Sequence, residues 1–178
     1  MKKMLQSSAL VLVSVIGLAS CNSQSSEATT VETAVTETQV AAPTSKVWNI
    51  NNSDGFVTTT FKANPSYTLG TATDYDYLLV NSATAADYRP EIIEAFKTGK
   101  QVIFDTNATN EAKTQMQAVV KELVGSSIDS DGVLVTYDTE AQQFLLTPLV
   151  SLDTVKVQLQ SGKTPNLDNT ADVVFGTN

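Results

Sequence analysis

The stretch KQVIFDTNATNEAKTQMQAVVKELVGSSIDSDGVLVTYDTEAQQFLLTP, residues 100–148, carries the strongest structural signals in the chain. Its opening run, QVIFD at 101–105, is short, β-branched and aromatic, which predicts a strand buried on both faces. VLVTY at 133–137 and QFLLTP at 143–148 predict two antiparallel strands joined by the turn 138–142. The stretch therefore predicts a strand and, after an intervening segment, a hairpin.

The segment between these strands predicts a helix with one buried face. Its apolar side chains recur every three or four residues: Ala112, Met116, Val119, Val120 and Leu123. Thr109 or Asn110 can cap the start of this helix, and Gly125 stands where a left-handed C-terminal residue is expected.

The residues before this stretch predict a second strand and helix of the same kind. YLLVN at 77–81 predicts a strand. Pro90 predicts the first turn of a short helix that buries Ile92, Ile93 and Phe96 and ends at Gly99. Strand, helix, strand and helix in succession indicate a right-handed parallel crossover. With the hairpin added, the order is βαβαββ, which predicts an α/β fold with a mixed sheet and helices packed on it.

Three weaker patterns complete the predicted globular region, residues 46–178. Residues 47–50 and 56–62 flank the turn sequence NNSDG and predict a further hairpin. Residues 155–160 predict a strand near the end of the chain, and residues 173–175 form a last apolar patch.

The first 20 residues predict an export signal. Lys2 and Lys3 make a basic start, and an apolar run of residues 9–18 follows that is too short to span a membrane. Leu18-Ala19-Ser20-Cys21 resembles the lipobox of bacterial lipoproteins, which implies cleavage between Ser20 and Cys21 and lipidation of Cys21. Asn22 after the cysteine implies, by the same resemblance, the outer membrane facing the periplasm. Ordinary secretion with a free thiol is the alternative.

Residues 21–45 predict a disordered linker, because Ser, Thr, Glu and Ala dominate without an aromatic residue. The whole chain has 11 basic and 19 acidic residues, and removal of residues 1–20 removes two lysines, which leaves a net charge of −10. This balance argues against nucleic acid as a partner, since no basic patch is available for phosphates. Lipid acylation of Cys21 is expected to provide the contact with the membrane.

Candidate catalytic and metal-binding groups are few. The chain contains no histidine and one cysteine, which excludes Ser-His-Asp and Cys-His mechanisms and N/S zinc sites. Asp129-Ser130-Asp131-Gly132 begins like a calcium loop but lacks its later ligands, so a solvated turn is expected. Asp74 and Asp76 could form a carboxylate pair, although outward strand-edge acids explain them equally well.

Two other short patterns have structural alternatives. Asp105 ends a strand where α/β proteins often place ligands, or it caps the helix that follows. SGKT at 161–164 lacks the first glycine of a phosphate loop and predicts a turn. The sequence thus predicts no metal, no cofactor and no enzyme. A carboxylate-based hydrolase is the weak enzymatic alternative.

Aromatic residues concentrate in the first part of the globular region: Trp48, Phe56, Phe61, Tyr67, Tyr75 and Tyr77. Packing in the core explains them, and an exposed aromatic groove for an extended client is the alternative.

Four segments resemble the N-terminal pro-region of pore-forming haemolysins of the vibrio cytolysin family. They are, in the order strand, helix, strand, strand, QVIFD, EAKTQMQA, VLVT and FLLTP. They also resemble the separate secretion proteins that accompany some of these toxins. The resemblance concerns packing positions and carries over no catalytic residue. It implies a chaperone-like accessory protein that binds a cytolysin precursor in the periplasm and assists its folding and secretion in trans.

The hairpin at 133–147 is the expected contact region for such a client, with Val133, Val135, Phe144 and Leu146 as contact residues. The alternative is a generic envelope lipoprotein that binds a small molecule or an assembly partner.

Overall fold

A computed structural model describes residues 44–176. Within this range the elements are, in chain order, β1 (Ser45–Asn49), α1 (Phe56–Ala63), β2 (Tyr67–Leu69), β3 (Tyr77–Asn81), α2 (Arg89–Lys97), β4 (Gln101–Asp105), α3 (Asn110–Val124), β5 (Gly132–Asp138), β6 (Gln143–Leu149), α4 (Leu152–Gln160) and α5 (Ala171–Val174). The signal peptide predicted at 1–20, lipidation at Cys21 and nearly all of the linker predicted at 21–45 lie outside the described residues.

The strands form one mixed sheet in the order β2-β1-β3-β4-β5-β6. β1 pairs in parallel with β2 and β3, and β3 pairs in parallel with β4. β5 pairs antiparallel with β4 and with β6. The predicted βαβαββ succession corresponds to β3 through β6 and is confirmed, and β1 and β2 extend the sheet beyond it.

Helices cover both faces of the sheet. Val102 and Phe104 of β4 pack in a core with residues of α2 and α3, such as Ile92 and Met116. Ile103, between them in sequence, packs on the opposite face in a core with residues of α1 and α5. Because successive strand residues point to opposite faces, a strand buried on both sides is apolar throughout. This alternation explains why Val102, Ile103 and Phe104 are all apolar, with no polar residue between them.

The helix α3 has the predicted boundaries and buried face. Thr109 caps it, since the Thr109 hydroxyl accepts a hydrogen bond from the Ala112 N–H at 3.3 Å. Gly125 ends it with a left-handed φ of 79°, a conformation that glycine adopts without steric cost. Met116 and Val120 are buried. These two side chains anchor the helix to the sheet.

The predicted buried face of α2 is partly wrong. Pro90 lies in its first turn, and Ile92 and Phe96 are buried as predicted. Ile93 is 42% exposed, whereas Ala95 is fully buried. The buried stripe is therefore narrower than the apolar pattern indicated, and it leaves Ile93 on the surface.

The hairpin predicted from residues 47–50 and 56–62 is wrong. The first segment belongs to β1, which pairs in parallel with β2 and β3, and the second is the helix α1. Val57, Thr58 and Phe61 are buried at helical spacing, although Val and Thr favour strands by local propensity. Tertiary contacts at the start of α1, described below, outweigh that propensity.

The strand predicted at 155–160 is also wrong, because these residues belong to α4. Alternating Val155, Val157 and Leu159 suggested a strand, but of these three only Val155 is buried. Ser151 caps the helix by accepting a hydrogen bond from the Thr154 N–H at 3.2 Å. In the predicted patch at 173–175, Phe175 is buried and Val173 is exposed. Among residues 44–176 no helix has the length and apolar character needed to cross a bilayer.

Candidate functional site

The carboxylate of Asp105 lies fully buried at the carboxyl end of β4. It accepts hydrogen bonds from Ser53 Oγ at 2.8 Å and Thr58 Oγ1 at 2.7 Å. It also accepts backbone N–H bonds from Val57 at 3.0 Å and Thr58 at 3.2 Å. Val57 and Thr58 lie in the first turn of α1, so Asp105 caps that helix. The prediction that it caps the helix after it is wrong, because Thr109 caps α3.

The environment of Asp105 leaves no room for a ligand. Burial raises the pKa of the Asp105 carboxyl, and the hydrogen bonds from Thr58, Ser53 and Val57 act in the opposite direction. Three of the four donors meet Oδ2 and the Val57 N–H meets Oδ1, and the side chain has no surface exposed to solvent. A Cβ on Gly55 would lie 2.3 Å from Asp105 Oδ1, which explains the glycine before α1. Asp105 therefore serves as a structural cap.

Asp131 forms a second buried carboxylate network, at the start of β5. It makes an ion pair with Lys113 of α3. It accepts hydrogen bonds from the Ser151 N–H at 2.8 Å and the Ser151 hydroxyl at 2.7 Å. Burial alone would raise the pKa of Asp131, but the hydrogen bonds from Lys113, Thr154 and Ser151 together hold it below its usual value. The network joins α3, β5 and the start of α4.

The solvated turn expected at Asp129-Ser130-Asp131-Gly132 is therefore only half correct. Asp129 is exposed, whereas Ser130 and Asp131 are buried. The Ser130 hydroxyl donates to Gly132 O at 2.6 Å. The buried Asp131 carboxylate is turned toward a lysine and a serine. In the described part of the chain, no group of three or more acidic, cysteine or histidine side chains is arranged to hold a metal ion.

The paired acids Asp74 and Asp76 both contact Lys46. The backbone N–H of Lys46 donates to Asp76 Oδ2 at 2.8 Å, and its ammonium forms an ion pair with Asp74. Tyr75, between the two acids, is buried. The carboxylates thus hold the start of β1. Residues 161–164 form the predicted turn, with Gly162 at a φ of 75°.

The aromatic residues of the first part of the domain pack inside it. Phe61 of α1 contacts Tyr67 and Phe175, with ring centroids 4.6 and 4.7 Å away. Burial, followed by the proximity of Tyr77, raises the pKa of Tyr67 to about 12. On the other face of the sheet, the rings of Trp48 and Tyr75 contact each other at a tilt of 53°, with centroids 5.3 Å apart. Core packing accounts for these residues.

β6 is one of the two edge strands of the sheet, and β2 is the other. Within residues 44–176 no strand pairs with the outer edge of β6. Just beyond β6, the Val150 N–H donates outward to Asn169 O at 2.8 Å. Backbone groups of alternate residues point to opposite edges of an antiparallel strand, so Phe144, Leu146 and Pro148 also turn theirs outward. Proline fits this place because it has no N–H to offer a neighbouring strand.

An apolar groove of about 360 Å³ lies beside this edge. Ile93, Phe96 and Lys97 of α2 line one side, and Leu123 of α3 lines another. The β5–β6 hairpin contributes Tyr137 and Phe144, whose rings lie 4.9 Å apart. An extended chain paired with β6 would place alternate side chains over this groove.

The predicted contact residues fall into two groups. Val133 and Val135 have no exposed surface, because both point into the core against α2 and α3. They are not available to a partner of the folded protein. Phe144 and Leu146 are half-buried and lie on the outer strand. Of the four predicted contact residues, Phe144 and Leu146 are therefore the two with exposed surface, and their contact with a client stays a prediction. The sequence analysis did not predict that Ile93 and Leu123 line a groove beside β6. Strand order and helix packing decide which apolar side chains border an edge, and neither can be read from the local sequence.

Residues 44–176 thus define a class: an α/β domain with an open strand edge beside an apolar groove. Comparison with protein-family models, with curated proteins and with solved structures gives no match for the chain. The family resemblance stated above thus depends on the residues quoted for it.

Proposed function

We propose that this protein is a non-enzymatic accessory lipoprotein of the cell envelope. It binds the precursor of a secreted pore-forming cytolysin in the periplasm and assists its folding and export. The observation that carries the proposal is the open edge of β6 beside the groove of Ile93, Phe96, Leu123 and Phe144. The resemblance of residues 101–148 to the cytolysin pro-region supplies the identity of the client.

The binding step is addition of a client strand to β6. Main-chain groups of Phe144 and Leu146 hydrogen-bond to an extended segment of the precursor, and its alternate side chains enter the groove. Main-chain pairing is independent of sequence, so it suits a client that has not yet folded. The groove adds a preference for apolar side chains. Release follows when the segment finds its own strand partners in the folded toxin.

The charge distribution fits this role. Residues 141–150, which contain β6, include no charged side chain. Soluble proteins usually protect an edge strand with charges or proline. β6 has Pro148 at its last outward position and no charge at Phe144 or Leu146, which favours pairing with a partner along the first part of the strand. The remainder of the mature chain is strongly acidic, which keeps a complex with an apolar client soluble. A lipid anchor at Cys21 would hold the domain close to the membrane that the client must cross.

The experiment is co-expression with a candidate cytolysin in a strain that lacks this protein. The proposal expects secreted haemolytic activity to fall without the chain and to return when it is supplied. Leu146→Lys places a charge on the same face of β6 as the groove, at a half-buried residue whose main chain points outward, so it should block strand addition, and circular dichroism confirms that the variant folds. Leu159→Lys, on exposed α4, is the matched control and should restore secretion fully. Equal secretion with both variants would refute the β6 surface.

A second candidate function is that of an envelope lipoprotein that binds a small molecule. A separate cavity beneath α1 favours it, on the opposite side of the domain core from the groove.

A further inference from the structure

A cavity of about 290 Å³ opens between α1 and the strands β1 and β2. Its inner wall consists of Val47, Phe61 and Leu79, all of which are buried side chains. Tyr67 and Leu69 of β2 line the outer part, and Leu69 is 88% exposed. The cavity therefore leads from the surface into the apolar core. An apolar cavity of about 150 Å³ is enough to bind benzene, so this one can hold a larger apolar group.

A second cavity of about 410 Å³ adjoins the first and shares Asn49, Lys62 and Leu69 with it. Trp48, Gly70 and the loop residues 52–54 complete its lining. Five of the eight lining residues have polar side chains: Asn49, Asn52, Ser53, Asp54 and Lys62. Because three residues line both cavities, the two are together called the crevice, with the first cavity as its apolar interior and the second as its mouth.

Lys62 supplies the positive charge at this mouth. It is exposed in the last turn of α1 and is not among the ion pairs formed within residues 44–176. The side-chain amide of Asn49 is hydrogen-bonded within the protein: it donates to Ser53 O at 2.9 Å and accepts from the Ser53 N–H at 2.7 Å. Asp54 also borders the mouth and is exposed. The charge available to both cavities is therefore the ammonium of Lys62.

We infer that this crevice binds a small amphipathic carboxylate, such as a medium-chain fatty acid anion. The aliphatic chain lies between α1 and β1 against Val47 and Leu79, and the carboxylate lies beside Lys62. This site is separate from the β6 edge and does not depend on the client-binding proposal.

Isothermal titration calorimetry provides the readout, because the ring of Trp48, the one tryptophan in the sequence, packs against Tyr75 on the other face of the sheet. Titration of the full chain with decanoate should produce a saturable heat of binding. Affinity should increase about fourfold for each methylene from hexanoate upward, as expected for burial of an aliphatic chain. The increase should stop once the chain fills the cavity. Absence of a saturable heat of binding, or an affinity independent of chain length, would overturn the inference.

Variants locate the bound molecule. Lys62→Gln should weaken decanoate binding roughly two- to fivefold, the range for an exposed charge pair, whereas Lys163→Gln should not. Leu69→Ser should weaken it further, and Leu167→Ser, another exposed leucine, is the matched control. Leu69 and Leu167 are both exposed, so loss of folding will not mask the effect of either substitution on binding. Val47→Phe should fill the cavity and abolish binding, with circular dichroism to confirm that the variant folds.

The head group is tested with decylamine, which has the same chain and the opposite charge. The inference expects decylamine to bind at least fivefold more weakly than decanoate. Equal or tighter binding of decylamine would show that Asp54, or apolar contact alone, selects the ligand, and would overturn the carboxylate assignment. Identical decanoate affinity in Lys62→Gln and Lys163→Gln would overturn it as well.

Discussion

Asp105→Asn tests the finding that a distant carboxylate fixes the first helix. In the native protein, Oδ2 accepts from the hydroxyls of Ser53 and Thr58 and from the Thr58 N–H, while Oδ1 accepts from the Val57 N–H. Asparagine has nearly the same shape but only one acceptor oxygen. In its better orientation the amide oxygen replaces Oδ2 and keeps three bonds. The amide NH₂ then faces the Val57 N–H, and two donors oppose each other.

The loss of stability in Asp105→Asn follows from these contacts. A buried N–H left without an acceptor costs about 1–3 kcal/mol. Burial raises the pKa of Asp105, so the neutral amide avoids the cost of a buried charge, and loss of the charge adds nothing to this decrease. The expected decrease in the free energy of unfolding is therefore about 1–3 kcal/mol, a large part of the typical stability of a domain. Asp105→Ala removes the acceptor for all four donors and should cost more than Asp105→Asn.

Urea denaturation followed by circular dichroism at pH 7 measures this decrease. Asp129→Asn is the matched control, because Asp129 is exposed and accepts one side-chain hydrogen bond, from Gln117 at 3.2 Å. That variant should lie within about 0.5 kcal/mol of wild type. If Asp105→Asn is as stable as Asp129→Asn, the capping role of Asp105 is wrong.

Three further predictions concern other parts of the chain. Asp131→Asn should lower the free energy of unfolding by about 2–4 kcal/mol at pH 7, because it leaves Lys113 without its counter-charge. The pKa of Asp131 lies below its usual value, so its contribution is complete above about pH 4 and is lost as the pH falls through the lowered pKa. Urea curves from pH 2 to 7 should therefore show a steeper acid loss in wild type than in Asp131→Asn. Gly55→Ala should cost about 1–3 kcal/mol, since its Cβ would lie 2.3 Å from Asp105 Oδ1; a melting temperature equal to that of wild type would contradict this. Cys21→Ala should release the protein from membranes, and unchanged fractionation would argue against the lipid anchor.

Local sequence patterns were sufficient to predict the strands β3 through β6 and the helix α3. In α3, the apolar spacing, the cap and the terminal glycine all agree, so no distant contact is needed to choose the helix. The strand QVIFD is similarly clear, because nothing polar interrupts it before Asp105. Where local signals agree with each other, the fold follows from them.

Two of the helices that the sequence did not predict, α1 and α4, begin at residues held by distant carboxylates. Val57 of α1 donates to Asp105, 48 residues later in the chain. Ser151, the cap of α4, donates to Asp131, 20 residues earlier. The β-branched residues of both segments favour strands locally, and only the folded sheet brings the acceptors to the helix starts. A single sequence gives little sign of such a pairing.

The proposed client surface was only partly predictable for a similar reason. The hairpin of β5 and β6 was evident, but the strand order that leaves β6 at the edge is a property of the whole sheet. The sequence pattern did not separate buried Val133 and Val135 from Phe144 and Leu146. The groove beside β6 requires α2 and α3 in place.

Backbone amide hydrogen exchange tests the central claim, that an extended client segment pairs with β6, most directly. In the free protein the outward N–H groups of Phe144 and Leu146 should exchange quickly, and those of Leu145 and Thr147, directed toward β5, should exchange slowly. Addition of an unfolded cytolysin precursor should protect Phe144 and Leu146 and leave the amides of exposed α4 unchanged. If the precursor binds and the exchange of Phe144 and Leu146 stays fast, the client does not pair with β6 and the account is contradicted.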